Sequence, residues 1–343
     1  MGVGEAADNL RMRLAAWAVG GHEFLESIRI NTACALFGVR KTMALYRRGS
    51  KVVLACRSLK RGQEAAVVVE GAAPLPGCEA GKLEVVELDL GSLASVRELV
   101  QAWDTHKEPL DILICNAGVM APPKRLQTED GFEQQFQVNY LGHWLLARGL
   151  VAAQRRRRRK HSGEDKAHGM RVLFLSSLAH IAGDINFGDL QLRQQYSGFR
   201  GYSASKLAAV LATAEFQRRF ERDTEGCGAD TAVAVHPGLI NTALARGWLL
   251  SSSIPMPPGL RQLVAPVIEP LLRAAAPLLL LPPSHAVATM LYAAGAPADE
   301  VAGRYVAHWR VRPPSRRARD PKLAARLWAE SCRLTDTPLE PEL

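Results

Sequence analysis

From residue 51 onward, short apolar runs alternate with longer segments of helical periodicity, and this alternation constrains the fold more than any other feature. The apolar runs are KVVLAC (51–56), KLEVVELDL (82–90), DILICNAG (111–118), RVLFLSS (171–177) and TAVAVHPG (231–238). Helical patterns lie between them at 59–70, 92–103, 131–151 and 202–220. Apolar strands separated by helices indicate a parallel sheet buried on both faces. The sequence therefore predicts a single-domain α/β fold of the Rossmann type, with a doubly wound parallel sheet.

Composition narrows the class of protein. The chain has 343 residues, 48% of them hydrophobic, which suffices for a large buried core. Its six cysteines are scattered and form no C-x-x-C pair. This spacing argues against a disulfide framework and against a zinc site, and it suits a reducing compartment. We expect no metal site.

The positive charge is concentrated in one segment. Six of the positive charges behind the formal net charge of +9 come from RRRRRK (155–160), and without them the net charge is +3 (9 − 6). A nuclear-localisation or nucleic-acid patch is one interpretation. The other is a solvated loop insertion, 154–170, between a helix and a strand. We favour the insertion and expect no nucleic-acid partner, because no aromatic or base-reading pattern accompanies the arginines.

The chain divides into three parts. Residues 1–26 form an N-terminal extension of uncertain structure, residues 27–335 form the domain, and residues 336–343 form a tail. We see no secretory signal peptide and expect an intracellular protein, either cytoplasmic or peripheral to an organelle membrane. The compartment and the oligomeric state stay open.

The longest apolar stretch, 263–283, is a poor membrane span. Three prolines interrupt it, and it carries Glu269 and Arg273. We interpret residues about 243–285 as a flap over an apolar substrate, in which 263–283 could also touch a membrane surface.

The motif YSASK places Tyr202 and Lys206 four residues apart, on one face of a helix. A lysine ammonium beside a phenol favours the phenolate and lowers its pKa, which makes tyrosine a usable proton donor or acceptor. Y-x-x-x-K alone is a weak signal, because an exposed tyrosine and a solvated lysine are common. Ser177 ends a strand upstream, where its hydroxyl can reach the same substrate oxygen.

Three further motifs follow the same order along the chain: CNAG (115–118), VNYLG (138–142) and HPGLINT (236–242). Together with Ser177 and YSASK, they resemble a classical short-chain dehydrogenase/reductase over roughly residues 40–335. Four segments are similar to the retinol dehydrogenase-like and WW-domain oxidoreductase-like branch of this family. They are KVVLACRS, EDGFEQQFQVNYLGHWLL, RVLFLSSLAH and the segment that begins with GRYVAHWR. They are also similar to the X-linked-type dehydrogenase/reductase.

The resemblance implies a catalytic tetrad. Tyr202 would give or take the proton of the carbonyl or alcohol oxygen, and Lys206 would lower its pKa and bond the nicotinamide ribose. Ser177 would hold the substrate oxygen. Asn139 would support a water that links Lys206 to solvent.

The resemblance also implies a set of cofactor-binding residues: Gly38, Arg57, Ser58, Asp89, Leu90, Asn116, Ala117, Gly118, Tyr202, Lys206, Pro237, Gly238 and Thr242. One of these residues, Arg57, indicates which cofactor is bound. A carboxylate after the second strand would bond a ribose 2′-hydroxyl and select NAD(H). The chain instead has Arg57 there, and arginine pairs with a 2′-phosphate through a fork of donors. We therefore expect NADP(H) rather than NAD(H), although a solvent-facing Arg57 is the alternative.

The phosphate-binding loop is degenerate. The family pattern T-G-x-x-x-G-x-G falls on residues 31–38, after a thin strand at 27–31, and only Gly38 matches. Thr32 replaces the glycine of the tight turn, and Leu36 replaces the glycine that lets the backbone approach the pyrophosphate.

Three hypotheses account for this loop. The chain could be an enzyme that binds NADP(H) weakly, a catalytically silent binding or scaffold protein, or a family member whose residues 1–38 are a misjoined segment. Ser177, Tyr202 and Lys206 are intact, so we predict an oxidoreductase that interconverts an apolar aldehyde or ketone and its alcohol. A retinoid-, isoprenoid- or lipid-like substrate is expected. His180 and His236 are interpreted as structural or cleft-lining residues.

Overall fold

A computed structural model describes residues 30–33, 39–105, 109–160, 169–222, 230–238 and 283–339. The N-terminal extension, Gly38, Thr242 and nearly all of the predicted flap lie outside these residues.

Eight strands form one sheet in the order β3-β2-β1-β4-β5-β6-β7-β8. The strands are β1 Ile30–Ala33, β2 Lys51–Cys56, β3 Lys82–Glu87, β4 Ile112–Cys115, β5 Arg171–Leu175, β6 Thr231–His236, β7 Tyr305–Ala307 and β8 Arg310–Arg312. The first seven run parallel, and β8 is antiparallel to β7. The direction in which strands are added to the sheet reverses between β1 and β4. In such sheets, ligands bind at this point, beyond the carboxyl ends of the strands. The predicted Rossmann-type fold is confirmed.

Helices lie on both sides of this sheet. They are α1 Val39–Tyr46, α2 Leu59–Glu70, α3 Leu93–Trp103, α4 Gln134–Phe136, α5 Gly142–Lys160, α6 Gly198–Arg222, α7 Pro283–Gly295, α8 Ala298–Val301 and α9 Pro321–Leu334. A π-helical segment, Gln137–Leu141, joins α4 to α5, and a 3₁₀ helix, Leu178–Ala182, follows β5. Ser92 caps α3 by accepting a hydrogen bond from the backbone N–H of Ser95.

The two faces of the sheet bury separate cores. On one face, Trp144 of α5 and Phe216 of α6 pack around Trp328 of α9. On the other face, Leu45 of α1 and Met290 of α7 pack against alternate residues of the central strands. Side chains alternate between the faces of a strand, so strands buried on both faces are apolar at every position. This is why the apolar runs predicted the strands.

The basic segment is not the predicted loop insertion. Residues 155–160 form the last turns of α5, so the predicted loop is wrong for them, and residues 161–168 lie outside the described residues. Arg155 and Arg158 are buried, and both bind the carboxylate of Asp230, at 2.9 Å and 2.8 Å. Burial requires that such charges be paired. Two of the six basic residues are therefore internal parts of the fold rather than part of a solvated patch.

The first strand ends later than predicted. Thr32 and Ala33 pair with Leu54 and Ala55 of β2, so residues 31–33 belong to β1 and not to the phosphate loop. The loop assignment is wrong for these three residues, because they are hydrogen-bonded into the sheet. The remaining loop residues, 34–38, lie outside the described part of the chain.

The predicted tail is partly packed against the domain. The guanidinium of Arg148 in α5 donates hydrogen bonds to the Thr337 hydroxyl at 3.1 Å and to the carbonyl oxygen of Pro338. Among the described helices, none is both long enough and apolar enough to cross a membrane.

Candidate active site

The four predicted catalytic residues meet at the carboxyl end of the sheet. Ser177 follows β5, Tyr202 and Lys206 lie in the first turns of α6, and Asn139 lies in the π-helical segment. The Ser177 hydroxyl is hydrogen-bonded to Tyr202. The Lys206 ammonium nitrogen lies 5.6 Å from the centre of the Tyr202 ring. Sequence reasoning placed this group correctly, because strand ends and the next helix face converge in this fold.

Lys206 is held in place by the sheet. Its Nζ donates a hydrogen bond to the carbonyl oxygen of Leu175, the last residue of β5, at 2.9 Å. The carbonyl oxygen of Lys206 accepts a hydrogen bond from Ser176 Oγ at 2.8 Å. Two bonds thus fix α6 to the end of β5, and Tyr202 and Lys206 keep a fixed position beside Ser177.

Asn139 joins three parts of the site. Its Nδ2 donates to Ser205 Oγ at 3.0 Å and to the carbonyl oxygen of Val119 at 2.9 Å, and its Oδ1 accepts from Val119 N at 2.7 Å. A Cβ on Gly118 would lie 3.1 Å from Asn139 Oδ1, so the close packing of this loop favours glycine. The side chain of Asn139 therefore holds the loop after β4 against the helix that carries Tyr202.

Burial controls the pKa values of the site. It raises the pKa of Tyr202, and the hydrogen bond from Ser177 offsets this only in part. The net shift of the Tyr202 pKa is therefore upward, opposite to the lowering expected from Lys206 alone. Burial, together with the nearby charge of Lys41, lowers the pKa of Lys206 to about 8. Tyr202 is thus protonated at neutral pH and can act as a proton donor.

The predicted cofactor-binding residues line the same edge of the sheet. Asn116, Ala117 and Gly118 follow β4 directly, and Pro237 and Gly238 follow β6. Gly238 has φ of +96°, a left-handed conformation that suits glycine.

The adenine end of the predicted cleft is formed after β2 and β3. Arg57 is exposed, and Ser58 caps α2 by accepting from Arg61 N at 3.4 Å. Asp89 Oδ1 accepts from Gly91 N at 2.8 Å, while Leu90 is buried. Gly38 and Thr242 fall outside the described residues.

These residues fit a dinucleotide. Arg57 offers an exposed guanidinium at the end of β2, and the buried ammonium group of Lys206 lies beside Tyr202, so the anionic groups of such a cofactor would meet positive charge. Among the described residues, no group of three or more histidine, cysteine, aspartate or glutamate side chains is arranged to hold a metal ion.

Two site residues were missed by the sequence reasoning. Lys41 of α1 is buried, and its Nζ donates to Asn116 Oδ1 at 2.5 Å. His143 of α5 is buried one turn after Asn139 and bonds the Asn139 carbonyl oxygen through Nδ1 at 3.3 Å. For Lys41, the available signal in the sequence was a lysine three residues after Gly38. His143 carried no signal, because a lone histidine in a helix is usually structural.

His180 fits the structural role expected of it. Its Nδ1 contacts the carbonyl oxygen of Ser177 at 2.7 Å, and its Nε2 accepts a hydrogen bond from Ser315 N at 3.1 Å. The ring therefore fixes the backbone of Ser177, the predicted catalytic serine. His236 is buried at the end of β6, and burial, together with the nearby histidines, lowers its pKa to about 4.

Comparisons with known proteins agree with this geometry. Residues 28–250 match the family described as short chain dehydrogenase. The chain is 38% identical to retinol dehydrogenase 13 of Homo sapiens over 303 residues, which cover 87% of this chain and 80% of that protein. It is 36% identical to polyprenol dehydrogenase of Mus musculus over 309 residues, covering 89% and 82%.

Solved structures share the fold. An uncharacterized protein from Mycobacterium Paratuberculosis is 30% identical, with a TM-score of 0.65 over 92% of this chain and 98% of that one. An actinorhodin polyketide ketoreductase variant solved with NADPH is 17% identical, with a TM-score of 0.55 over 82% and 95%, and shows the fold alone. The chain belongs to the short-chain dehydrogenase/reductase family of oxidoreductases, which act on CH–OH groups, and within it to the retinol dehydrogenase-like members.

Proposed function

We propose that this chain is an NADP(H)-dependent oxidoreductase that interconverts an apolar aldehyde or ketone and its alcohol. The observation that carries the proposal is the Ser177–Tyr202–Lys206 group beside an exposed apolar rim. When bound, NADP(H) would supply or accept the hydride. The residues of the chain would orient the substrate and transfer the proton.

In the direction of reduction, the Tyr202 hydroxyl donates a proton to the carbonyl oxygen. Ser177, which is hydrogen-bonded to Tyr202, can hold the same oxygen. Lys206 stays charged below about pH 8 and favours the phenolate that forms as the proton leaves. In the direction of oxidation, the same groups act in reverse.

The apolar substrate class is supported by the 3₁₀ helix that begins directly after Ser177. Leu178 is 50% exposed and Ile181 is 60% exposed, beside the catalytic serine. Large apolar side chains that stay exposed beside a catalytic group favour an apolar ligand. Retinol and polyprenol, in the names of the relatives, are alcohols of this kind.

NADP(H) is supported by Arg57. It follows β2, where the adenosine ribose binds in this fold, and its side chain is exposed at the start of α2. Positive charge at a helix N-terminus that Ser58 already caps forms a favourable environment for a 2′-phosphate.

The test is NADPH oxidation by the purified chain with retinal, with a shorter prenyl aldehyde and with glyceraldehyde as the polar comparison. Tyr202→Phe keeps the ring and removes only the hydroxyl, so it should bind NADPH normally and lose activity by at least ~100-fold. Leu178→Ser with Ile181→Ser should raise KM for the long aldehyde and not for the short one. Val67→Ser, at an exposed valine of α2, is the matched control and should change neither.

A preference for glyceraldehyde would overturn the apolar substrate. A second candidate, a silent binding protein, is favoured by one feature, the presence of Leu36 where the family pattern has a glycine. It predicts no NADPH binding by calorimetry, whereas the oxidoreductase predicts binding.

A further inference from the structure

The last strand of the sheet begins a segment of concentrated positive charge. Residues 310–319, RVRPPSRRAR, contain five arginines and no acidic residue. The segment starts in β8 and leads to α9. All five arginine side chains are exposed: Arg310, Arg312, Arg316, Arg317 and Arg319. We call residues 310–319 the arginine edge.

Most of this charge is not neutralised by the fold. Among the residues that the structure describes, Arg317 is the only arginine of the segment with an ion pair, which joins it to Asp184 at 3.1 Å. The next acidic residue along the chain, Asp320, caps α9 by accepting from two backbone N–H groups. By contrast, carboxylates pair with several arginines at the end of α5. The arginine edge therefore presents positive charge that is available to a partner.

The arginine edge is held beside the 3₁₀ helix that follows Ser177. The backbone N–H of Ser315 donates to Nε2 of His180, which lies in that helix, at 3.1 Å. The ring of His180 also packs against Tyr305 of β7, with 4.8 Å between ring centres. Tyr305 is in turn the cross-strand neighbour of Arg312. The arginines are thus displayed from a fixed backbone next to the predicted catalytic site.

The same 3₁₀ helix adds apolar side chains to this surface. Its residues Leu178 and Ile181 are 50% and 60% exposed. Exposed apolar groups bordered by arginines suit the surface of an anionic bilayer, because the apolar groups enter the boundary of the acyl chains while the cations attract the headgroups.

A nucleic acid fits this surface less well. Binding without sequence preference commonly uses aromatic side chains on which bases stack. The aromatic residue that directly precedes the segment, Trp309, already packs against His285, with 4.1 Å between ring centres. The charge and the apolar side chains together therefore favour a lipid surface.

We infer that the arginine edge, together with Leu178 and Ile181, is a docking surface for a membrane that contains anionic phospholipids. Because Leu178 directly follows Ser177, docking places the predicted catalytic site beside the bilayer, in which an apolar substrate dissolves. This consequence rests on the proposed function, whereas membrane binding itself does not. The surface is separate from residues 263–283, which lie outside the described part of the chain.

The experiment is co-sedimentation of the full chain with vesicles of phosphatidylcholine, alone or mixed with phosphatidylglycerol. The chain should bind the mixed vesicles at least tenfold more tightly, and raising the salt from about 0.1 M to about 0.5 M should weaken this binding. Arg310→Gln with Arg312→Gln should reduce the affinity at least tenfold. The matched control is Lys60→Gln with Arg61→Gln. It removes two exposed charges from α2, which packs against β2 and β3 at the opposite end of the sheet, and should change the affinity less than about twofold.

The outcomes are distinguishable. Equal binding to both kinds of vesicle would overturn the inference, and so would an arginine double variant that binds as tightly as the control. Binding to heparin without binding to the anionic vesicles would assign the arginines to a soluble polyanion and would also overturn it. NADPH oxidation with a short, soluble aldehyde is the separate readout, and the arginine variant should leave it unchanged. A parent chain that binds anionic vesicles but lacks this activity would overturn the proposed function and leave the docking surface standing.

Discussion

Asn139 donates a hydrogen bond to Ser205, and through it the π-helical segment is joined to the helix that carries Tyr202 and Lys206. The same side chain exchanges two further hydrogen bonds with the backbone of Val119. π-Helical segments are frequent at functional sites because they turn a side chain or a carbonyl out of the regular helix. Asn139 thus connects the predicted cofactor side of the cleft to the predicted catalytic side.

Replacing Asn139 should damage both stability and activity. Asn139→Ala leaves the N–H and C=O of the half-buried Val119 without their partner, and an unsatisfied group costs up to about 1–3 kcal/mol. We expect the free energy of unfolding to fall by about 2–4 kcal/mol, measured by urea denaturation. The matched control is Asn186→Ala, since Asn186 makes a similar but exposed bond to Gly188 N. A loss for Asn139→Ala no larger than that of the control would contradict the bridging role.

The pH dependence of reduction should be governed by Lys206. Its pKa is about 8, below the ordinary value of lysine, so the ammonium loses its charge as the pH rises through about 8. Tyr202 is not the cause of such a loss, because burial raises its pKa. We expect kcat/KM for aldehyde reduction to fall about tenfold per pH unit above about pH 8.

Lys206→Arg is the diagnostic variant for this profile. Arginine keeps its charge throughout the range, so the fall near pH 8 should disappear even if the overall rate is lower. Initial rates measured across the range test this. A profile for Lys206→Arg that still breaks near pH 8 would assign the titration to another group.

The fold could be predicted because its strands are buried on both faces. Burial on both sides makes β4 wholly apolar and the interior positions of β5 and β6 apolar, and such runs are visible without any tertiary information. The helix pattern around Tyr202 was equally clear. Ser177, Tyr202 and Lys206 could therefore be placed in one site from the order of the motifs along the chain.

The errors arose where a residue's environment depends on distant partners. Arg155 lies 75 residues from Asp230 in sequence, and nothing in RRRRRK indicates which arginines are internal. The pKa of Tyr202 was predicted from its lysine neighbour alone, whereas burial is the larger effect. Lys41 and Asn116 are likewise 75 residues apart. These contacts exist only after the sheet has assembled.

Breaking the buried ion group around Asp230 should cost more stability than breaking an exposed ion pair. Asp230 binds Arg155 and Arg158 and also accepts from the Met170 backbone N–H at 2.7 Å. Asp230→Asn removes the negative charge and leaves two buried guanidinium groups without it, which costs about 3–5 kcal/mol.

The comparison for this prediction is the exposed pair of Arg156 and Asp104, 2.7 Å apart. Asp104→Asn should reduce the free energy of unfolding by less than about 1 kcal/mol. Urea denaturation of both variants checks the difference. Equal, small losses would mean that the arginines near the end of α5 behave as a solvated patch after all.

His143 should make the protein sensitive to acid. Burial, with a further contribution from the charge of Lys206, lowers its pKa to about 3, against about 6.5 in an unfolded chain. Between these values the unfolded chain takes up a proton that the folded chain does not, so the free energy of unfolding falls as the pH falls from about 6.5 toward about 3. His143→Leu should remove this contribution, at most about 1.4 kcal/mol per pH unit.

The same substitution makes a second, independent prediction at neutral pH. Nε2 of His143 is buried and has no hydrogen-bond partner in the part of the chain that the structure describes. Replacing an unsatisfied polar group with an apolar one should raise the free energy of unfolding, by about 1 kcal/mol. His143→Gln should lose the acid dependence without this gain, because it does not titrate but stays polar. A loss of stability for His143→Leu at neutral pH would instead mean that Nε2 has a partner, such as a buried water, and that this histidine holds part of the active site together.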